Sequence, residues 1–205
     1  MGAASGRDQV HDIDVDPPTL DDIRVLTAQL ERSPRGLVGI AHRCGYGFPQ
    51  VVAVYPIVDE KPFPTTYWLS CPFLLRHIGW MEAAGMIAVL EDRVGEQPDL
   101  RRALERSHRA AIAVRRKLLS EKDLERLERE QQLAAVLSRG IGGIADWSRL
   151  KCLHLHVAYA LAQSDPIGDI VLARLRREPA GTECAEEKVI CSATCSGADQ
   201  PTIVE

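Results

Sequence analysis

A thiol and two imidazoles are embedded in the apolar run Leu150-Lys151-Cys152-Leu153-His154-Leu155-His156-Val157-Ala158-Tyr159-Ala160-Leu161-Ala162. Laid on a helix over residues 150–163, Cys152, His156 and Tyr159 share one face and His154 points away from Cys152. A helix this apolar is expected to be buried. Buried thiols and imidazoles point to metal coordination or catalysis. Cys44 stands in the glycine turn after a strand, and Cys71 lies between a strand and a helix start. Together Cys44, Cys71, Cys152 and His156 supply the four ligands of a closed tetrahedral metal site, with His154 replacing His156 if the segment is not helical. Zinc suits so thiolate-rich a set, and an iron–sulfur cluster is the redox alternative. The paired C-x-x-C knuckles of zinc fingers are absent. The plainer alternative is three small cysteines in separate parts of the core.

A second constellation needs no metal. Cys44, beside Arg43 and flanked by glycine, is a candidate nucleophile, with His154 or His156 as base and Glu82 as a further catalytic candidate. Arg43 and Lys151 would then hold an anionic small molecule. The loop Gly140-Ile141-Gly142-Gly143, followed by Arg149 and Lys151, also suits an anion, but it matches neither the P-loop nor the dinucleotide fingerprint, and a plain turn explains it. His108, with Arg115 and Arg116 two turns on, reads as part of a solvated face. Cys184, Cys191 and Cys195, spaced C-x6-C-x3-C, fit no zinc or cluster pattern and read as incidental tail thiols. The remaining possibility for the chain is a protein-interaction module that uses its charged helices.

These groups must be positioned by elements that the periodicity outlines. Residues 1–18 read as an acidic, disordered leader, 19–177 as one α+β domain, and 178–205 as a flexible tail. Thr19 caps an amphipathic helix that ends before Ser33-Pro34. A small antiparallel sheet is predicted over 37–69, from strands at 37–41, 50–58 and 66–70. Pro72 opens a helix capped by Ser70 or Cys71 and stopped at Gly85, and 86–90 reads as a short strand. Charged helices follow at 99–119 and 120–138, the second capped by Ser120 with Asp123. The buried helix should pack under the sheet and carry Cys152 towards Cys44 and Cys71, and a last helical piece covers 169–176. With 205 residues, net charge −4 and pI near 5.9, the chain shows no global attraction to nucleic acid or anionic membrane. Its apolar runs fall short of the ~18 residues of a membrane span. No secretory signal is read at the N-terminus, so a cytoplasmic location is expected, and six cysteines in a reducing setting read as free thiols or ligands.

Several segments occur in an order that resembles one bacterial family. They are Arg43-Cys44, Pro62-Phe63-Pro64-Thr65, Tyr67-Trp68-Leu69-Ser70-Cys71-Pro72, Glu82-Ala83-Ala84-Gly85, His108, Gly140-Ile141-Gly142-Gly143 and Lys151-Cys152-Leu153-His154-Leu155-His156. The chain is similar over residues 20–168 to the family called domain of unknown function 501. The resemblance implies no activity, but it places Cys44, Cys71, Cys152, His154 and His156 inside the family's own motifs. Thr66 departs from an expected aliphatic residue, and Asp59-Glu60 from an expected glycine turn. The tail cysteines lie outside the resemblance.

Overall fold

The computed structural model describes residues 13–178, 181–184 and 191. Strands β1 (Leu37–Arg43), β2 (Pro49–Val54) and β5 (Tyr67–Leu69) form an antiparallel sheet in the order β1-β2-β5, and β3 (Ile57–Val58) pairs with β4 (Lys61–Pro62) as a small ribbon. The run Val51-Val52-Ala53-Val54 is apolar without alternation because β2 is the central strand and is buried along its whole length. The β3–β4 turn is made without glycine: Asp59 and Glu60 hold φ of 49° and 62°, and Arg35 bonds the Asp59 carboxylate at 2.6 Å. The expected leader is partly a sheet edge. Asp16 exchanges both backbone hydrogen bonds with Ile40, at 2.9 and 2.8 Å, and Ile13 and Val15 pack on the core. Gly39 permits this approach, since a Cβ there would lie 2.6 Å from Val15. Residues 1–12 and most of the expected tail lie outside the described residues.

Helix α1 (Leu20–Leu30) starts with the expected Thr19 cap, closed reciprocally by Asp22. Helix α2 (Pro72–Ala83) has Cys71 as N-cap and Pro72 at its first position. The segment read as a strand at 86–90 is instead α3 (Met86–Glu96). Its buried residues Met86, Leu90 and Val94 fall every four positions, a helical stripe that a short apolar run conceals. Helix α4 (Pro98–Leu118) is followed by two helices where one was expected, α5 (Glu121–Arg129) and α6 (Leu133–Leu137). Gln131, at φ 58°, breaks them. Ser120 caps α5 through Asp123 at 3.0 Å.

Helix α7 (Leu153–Ala162) lies between α8 (Pro166–Leu175), α2 and β5. Leu153 and Val157 join Val51, Tyr67, Leu69, Leu74 and Val171 in the main core, and Tyr159 meets Tyr67 edge to face at 5.0 Å. The buried helix under the sheet is therefore present. It begins later than expected: Cys152 is its N-cap, in extended backbone with φ −164° and ψ 155°. Trp80, on α2, is 60% exposed. No single helix among the described residues is long and apolar enough to cross a membrane.

Candidate functional site

The start of α7 meets the end of α2, and the meeting is polar. Glu82, in the last turn of α2, accepts the Leu153 N–H at 2.5 Å through Oε1, so a carboxylate satisfies one of the unpaired amides at the α7 N-terminus. The same oxygen lies 3.1 Å from His154 Nδ1. Two turns earlier on α2, the Leu75 carbonyl lies 3.1 Å from His154 Nε2. A carbonyl only accepts, so Nε2 carries a proton and donates it to Leu75. Nδ1 is thereby directed at Glu82 and Cys152. The ligand atoms of Glu82, Cys152 and His154 all lie within 4.8 Å of one another, each residue half-buried. Burial disfavours the charged ring, but the Cys152 thiol, the Leu75 carbonyl and the Glu82 carboxylate outweigh it and hold the His154 pKa above its ordinary value.

This reverses one expectation. On an ideal helix His154 points away from Cys152, yet Cys152 is extended, so its side chain reaches the histidine two residues on. The expected quartet of Cys44, Cys71, Cys152 and His156 is divided instead. Cys71 caps the first turn of α2 and Glu82 ends it, so the length of that helix, about 16 Å at 1.5 Å per residue, separates Cys71 from the Cys152 cluster. Among the described residues the group of three or more close ligand atoms is Glu82, Cys152 and His154, without Cys44, Cys71 or His156. Of the catalytic candidates Cys44, His154 and Glu82, the last two are brought together, and the thiol beside them is Cys152.

The two cations expected to hold an anion have other partners. Arg43 donates to both Asp22 carboxylate oxygens, at 2.6 and 3.0 Å, and to Asp16 at 3.2 Å. The Arg43 hydrogen bond is the main reason that the Asp22 pKa falls to about 2, against the cost of burial. Lys151 Nζ donates to the Gly142 carbonyl at 3.0 Å. Arg149 pairs with Glu91 at 3.1 Å. Both Lys151 and Arg149 precede α7 rather than riding on it.

His156 faces the other way, into a second, buried polar group. Its Nδ1 lies 3.1 Å from each Asp165 carboxylate oxygen. Asp165 Oδ1 also accepts the Ile167 and Gly168 amides, at 3.0 and 2.8 Å, as N-cap of α8. His108, expected on a solvated face, is fully buried with its ring 6.4 Å from that of His156. The Ile141 N–H donates to His108 Nδ1 at 3.0 Å, so this ring is neutral with its proton on Nε2. Arg115 is buried too and donates to the carbonyls of Ala111, Pro64, Arg139 and Gly140. Sequence reasoning passed over Asp165. The Asp165-Pro166 pair is a helix-start signal, but its acid can be matched to a histidine nine residues earlier only after α7 and α8 are folded together.

Burial, with His156 and Arg115 nearby and only Asp165 and the Trp147 backbone opposing, lowers the His108 pKa from 6.5 to about 4. A depressed histidine stabilises the fold above 6.5, and that stability is lost as pH falls from 6.5 towards 4. At about 1.4 kcal/mol per pKa unit, the loss amounts to up to about 3 kcal/mol. Denaturant midpoints measured between pH 7 and 4.5 should fall more steeply for the native chain than for His108→Asn, in which the other histidines alone contribute their shifts. Parallel curves for the two proteins would refute the assignment. Asp22 contributes only in a lower window, between its ordinary 3.8 and about 2.

A family model described as protein of unknown function (DUF501) matches residues 40–173. No curated protein and no solved structure matches the chain.

Proposed function

Because the chain belongs to the DUF501 family of proteins of unknown function, the chemistry must be argued from the site, and we propose that Glu82, Cys152 and His154 bind a divalent metal ion, zinc before iron. The observation that carries this reading is the Leu75 carbonyl on His154 Nε2. A metal-ligating histidine typically donates its other ring N–H to a carbonyl or carboxylate, which fixes the tautomer and aims the free nitrogen at the ion. Here the aimed nitrogen is Nδ1, and it faces a carboxylate and a thiol. Three protein ligands of O, N and S type leave a coordination position open, as catalytic zinc sites do. The group is half-buried, so that position is within reach of solvent. Free thiols at all five described cysteines suit a reducing cytoplasm.

Binding displaces the protons on Nδ1 and on the Cys152 sulfur, so affinity should weaken as pH falls, the more so because His154 holds its proton tightly. Zinc titration of the metal-free chain tests this. His154→Gln and Cys152→Ser should each remove one equivalent, Glu82→Gln should weaken it by roughly 10–100-fold, and the apparent Kd should rise between pH 7.5 and 6. Unchanged stoichiometry in all three variants would end the metal reading.

A metal-free reading is favoured by the contact of the Cys152 thiol with His154. The Cys152 thiol would then be the nucleophile and His154 Nδ1 its base, with the Leu75 carbonyl on Nε2 as the group that orients the ring. This places the nucleophile at Cys152, not Cys44. A chain that takes up no zinc but whose Cys152 is alkylated far faster than its other thiols would establish this alternative.

A further inference from the structure

Helix α3 packs against α2 and α4, and α8 against α7 and α4. Between α3 and α8 a groove of about 590 Å³ lies open. On α3 it is lined by Met86, Val89, Leu90 and Arg93, the i, i+3, i+4, i+7 stripe of one helix face. On α8 the same spacing runs from Ile170 to Arg177. Both stripes begin apolar and end in arginine. Each covers about 10 Å of helix at 1.5 Å per residue. The floor is made by the buried Met86 and Leu90, with Met81 of α2 beside them. Val89, on the wall, is 57% exposed, and an apolar occupant would take that surface out of water.

We infer that this groove binds a single-chain amphiphile with an anionic head, taken up as a monomer. The alkyl chain lies along the apolar floor, and Arg93, Arg174 and Arg177 hold the head. Charge complementarity identifies the head. The chain as a whole carries a net charge of −4, yet the groove is lined by three arginines and no carboxylate. Among the described residues none of these three makes an ion pair or a side-chain hydrogen bond. Acids of the same two helices are engaged elsewhere: Glu91 takes Arg149 and the Leu150 N–H, and Asp169 is opposed by Arg176. Arg174 and Arg177 stand one turn apart on α8, and Arg93 comes from the other wall. A phosphate or carboxylate seated between the walls can therefore take forked hydrogen bonds from both sides. The floor identifies the tail, since two methionines adapt their shape to a flexible chain. Size favours a small molecule over a protein. The volume falls within the roughly 300–1,000 Å³ of small-molecule sites, whereas so short a groove offers far less than the roughly 800 Å² that each partner gives to a stable protein interface. The groove shares no residue with the Glu82–Cys152–His154 group, so its occupancy is independent of the metal reading.

Calorimetric titration of the full chain with decyl phosphate and with decanoate, each below the concentration at which it forms micelles, tests this. One equivalent of either should bind, and the tighter of the two identifies the head group. Decanol, with the same chain and no charge, should bind at least about tenfold more weakly. Decyltrimethylammonium and inorganic phosphate alone should not bind measurably. Arg93→Gln combined with Arg174→Gln should weaken the anionic probe by roughly tenfold or more, and Val89→Asp, which sets an acid in the apolar wall, should do the same. These side chains hold nothing in the fold, so the circular dichroism and urea midpoints of the variants should stay native. The inference is overturned if neither anionic probe binds, if decanol binds as well as they do, or if binding survives in the double variant. Attachment to phosphatidylglycerol vesicles without uptake of either monomer would overturn it too, and would make this face a membrane contact instead.

Discussion

Gly168→Ala should destabilise the fold by about 3 kcal/mol, the upper range for overpacking a close contact. Gly168 sits in the first turn of α8 where it crosses α7. A Cβ there would lie 2.2 Å from the His156 carbonyl oxygen and 2.6 Å from the Ala160 Cβ. Neither is the free end of a flexible side chain, so the two helices must separate. The separation would also stretch the His156–Asp165 contact and shift the helix that carries His154. The sign is what makes the experiment informative, because glycine to alanine inside a helix ordinarily stabilises by about 1 kcal/mol. Gly79 in α2 has nothing within 4 Å of its Cβ position and serves as the control: Gly79→Ala should raise the urea midpoint while Gly168→Ala lowers it. A Gly168→Ala chain as stable as the native one would show that the α7–α8 contact is not as close as described.

The second large effect is expected at Arg115. Among the described residues no carboxylate takes a hydrogen bond from this buried guanidinium, whose donors go to the carbonyls of Ala111 at 3.3 Å, Pro64 at 2.8 Å and Gly140 at 3.3 Å, and to that of Arg139. Burial lowers its pKa, against a favourable effect of Tyr159. Its fork thus ties α4 to two loops, the Phe63-Pro64-Thr65 segment and the glycine loop at 140–143. Arg115→Met fills the volume but leaves buried carbonyls without donors, each worth about 1–3 kcal/mol. Relief of a buried charge offsets part of this, so a net loss of about 3 kcal/mol is expected. Arg115→Lys should do little better, since one ammonium cannot serve three directions with the geometry of the fork. Urea denaturation gives the magnitude, and hydrogen exchange at the Ile141 amide reports whether the glycine loop has loosened. Native-like stability in Arg115→Met would mean that the loops are held by packing alone.

Much of the local structure could be read directly because its causes are local. The Thr19–Asp22 box, Pro72 after Cys71, and Ser120 with Asp123 each satisfy amides within one turn, and a nearby side chain is all they need. The β1–β2 hairpin follows from a β-branched run and a tight turn, and the apolar helix at 153–162 follows from the density of its apolar residues. Where two periods fit one short run, as at 86–90, the choice fell to tertiary packing, which supplied α2 and α4 as neighbours for a helix. Helix α4 shows a different limit. Its buried stripe Leu104, His108, Ala111, Arg115, Leu118 keeps a perfect three–four spacing, but a histidine and an arginine in that stripe made it read as surface.

The sequence determined which ligands exist, that they belong to an α+β domain of this family, and that one apolar helix carries the histidines. It did not determine which thiol meets which imidazole. That was decided by the point at which α7 begins: an extended Cys152 turns its thiol back towards His154 and leaves His156 to Asp165. It was decided equally by the length of α2, which keeps Cys71 a helix away from Cys152 and delivers Glu82 instead. Both are matters of chain direction over distances longer than a turn. No spacing of residue types encodes them, because the hydrogen bonds that fix them, from Leu153 to Glu82 and from His154 to Leu75, join residues more than seventy positions apart.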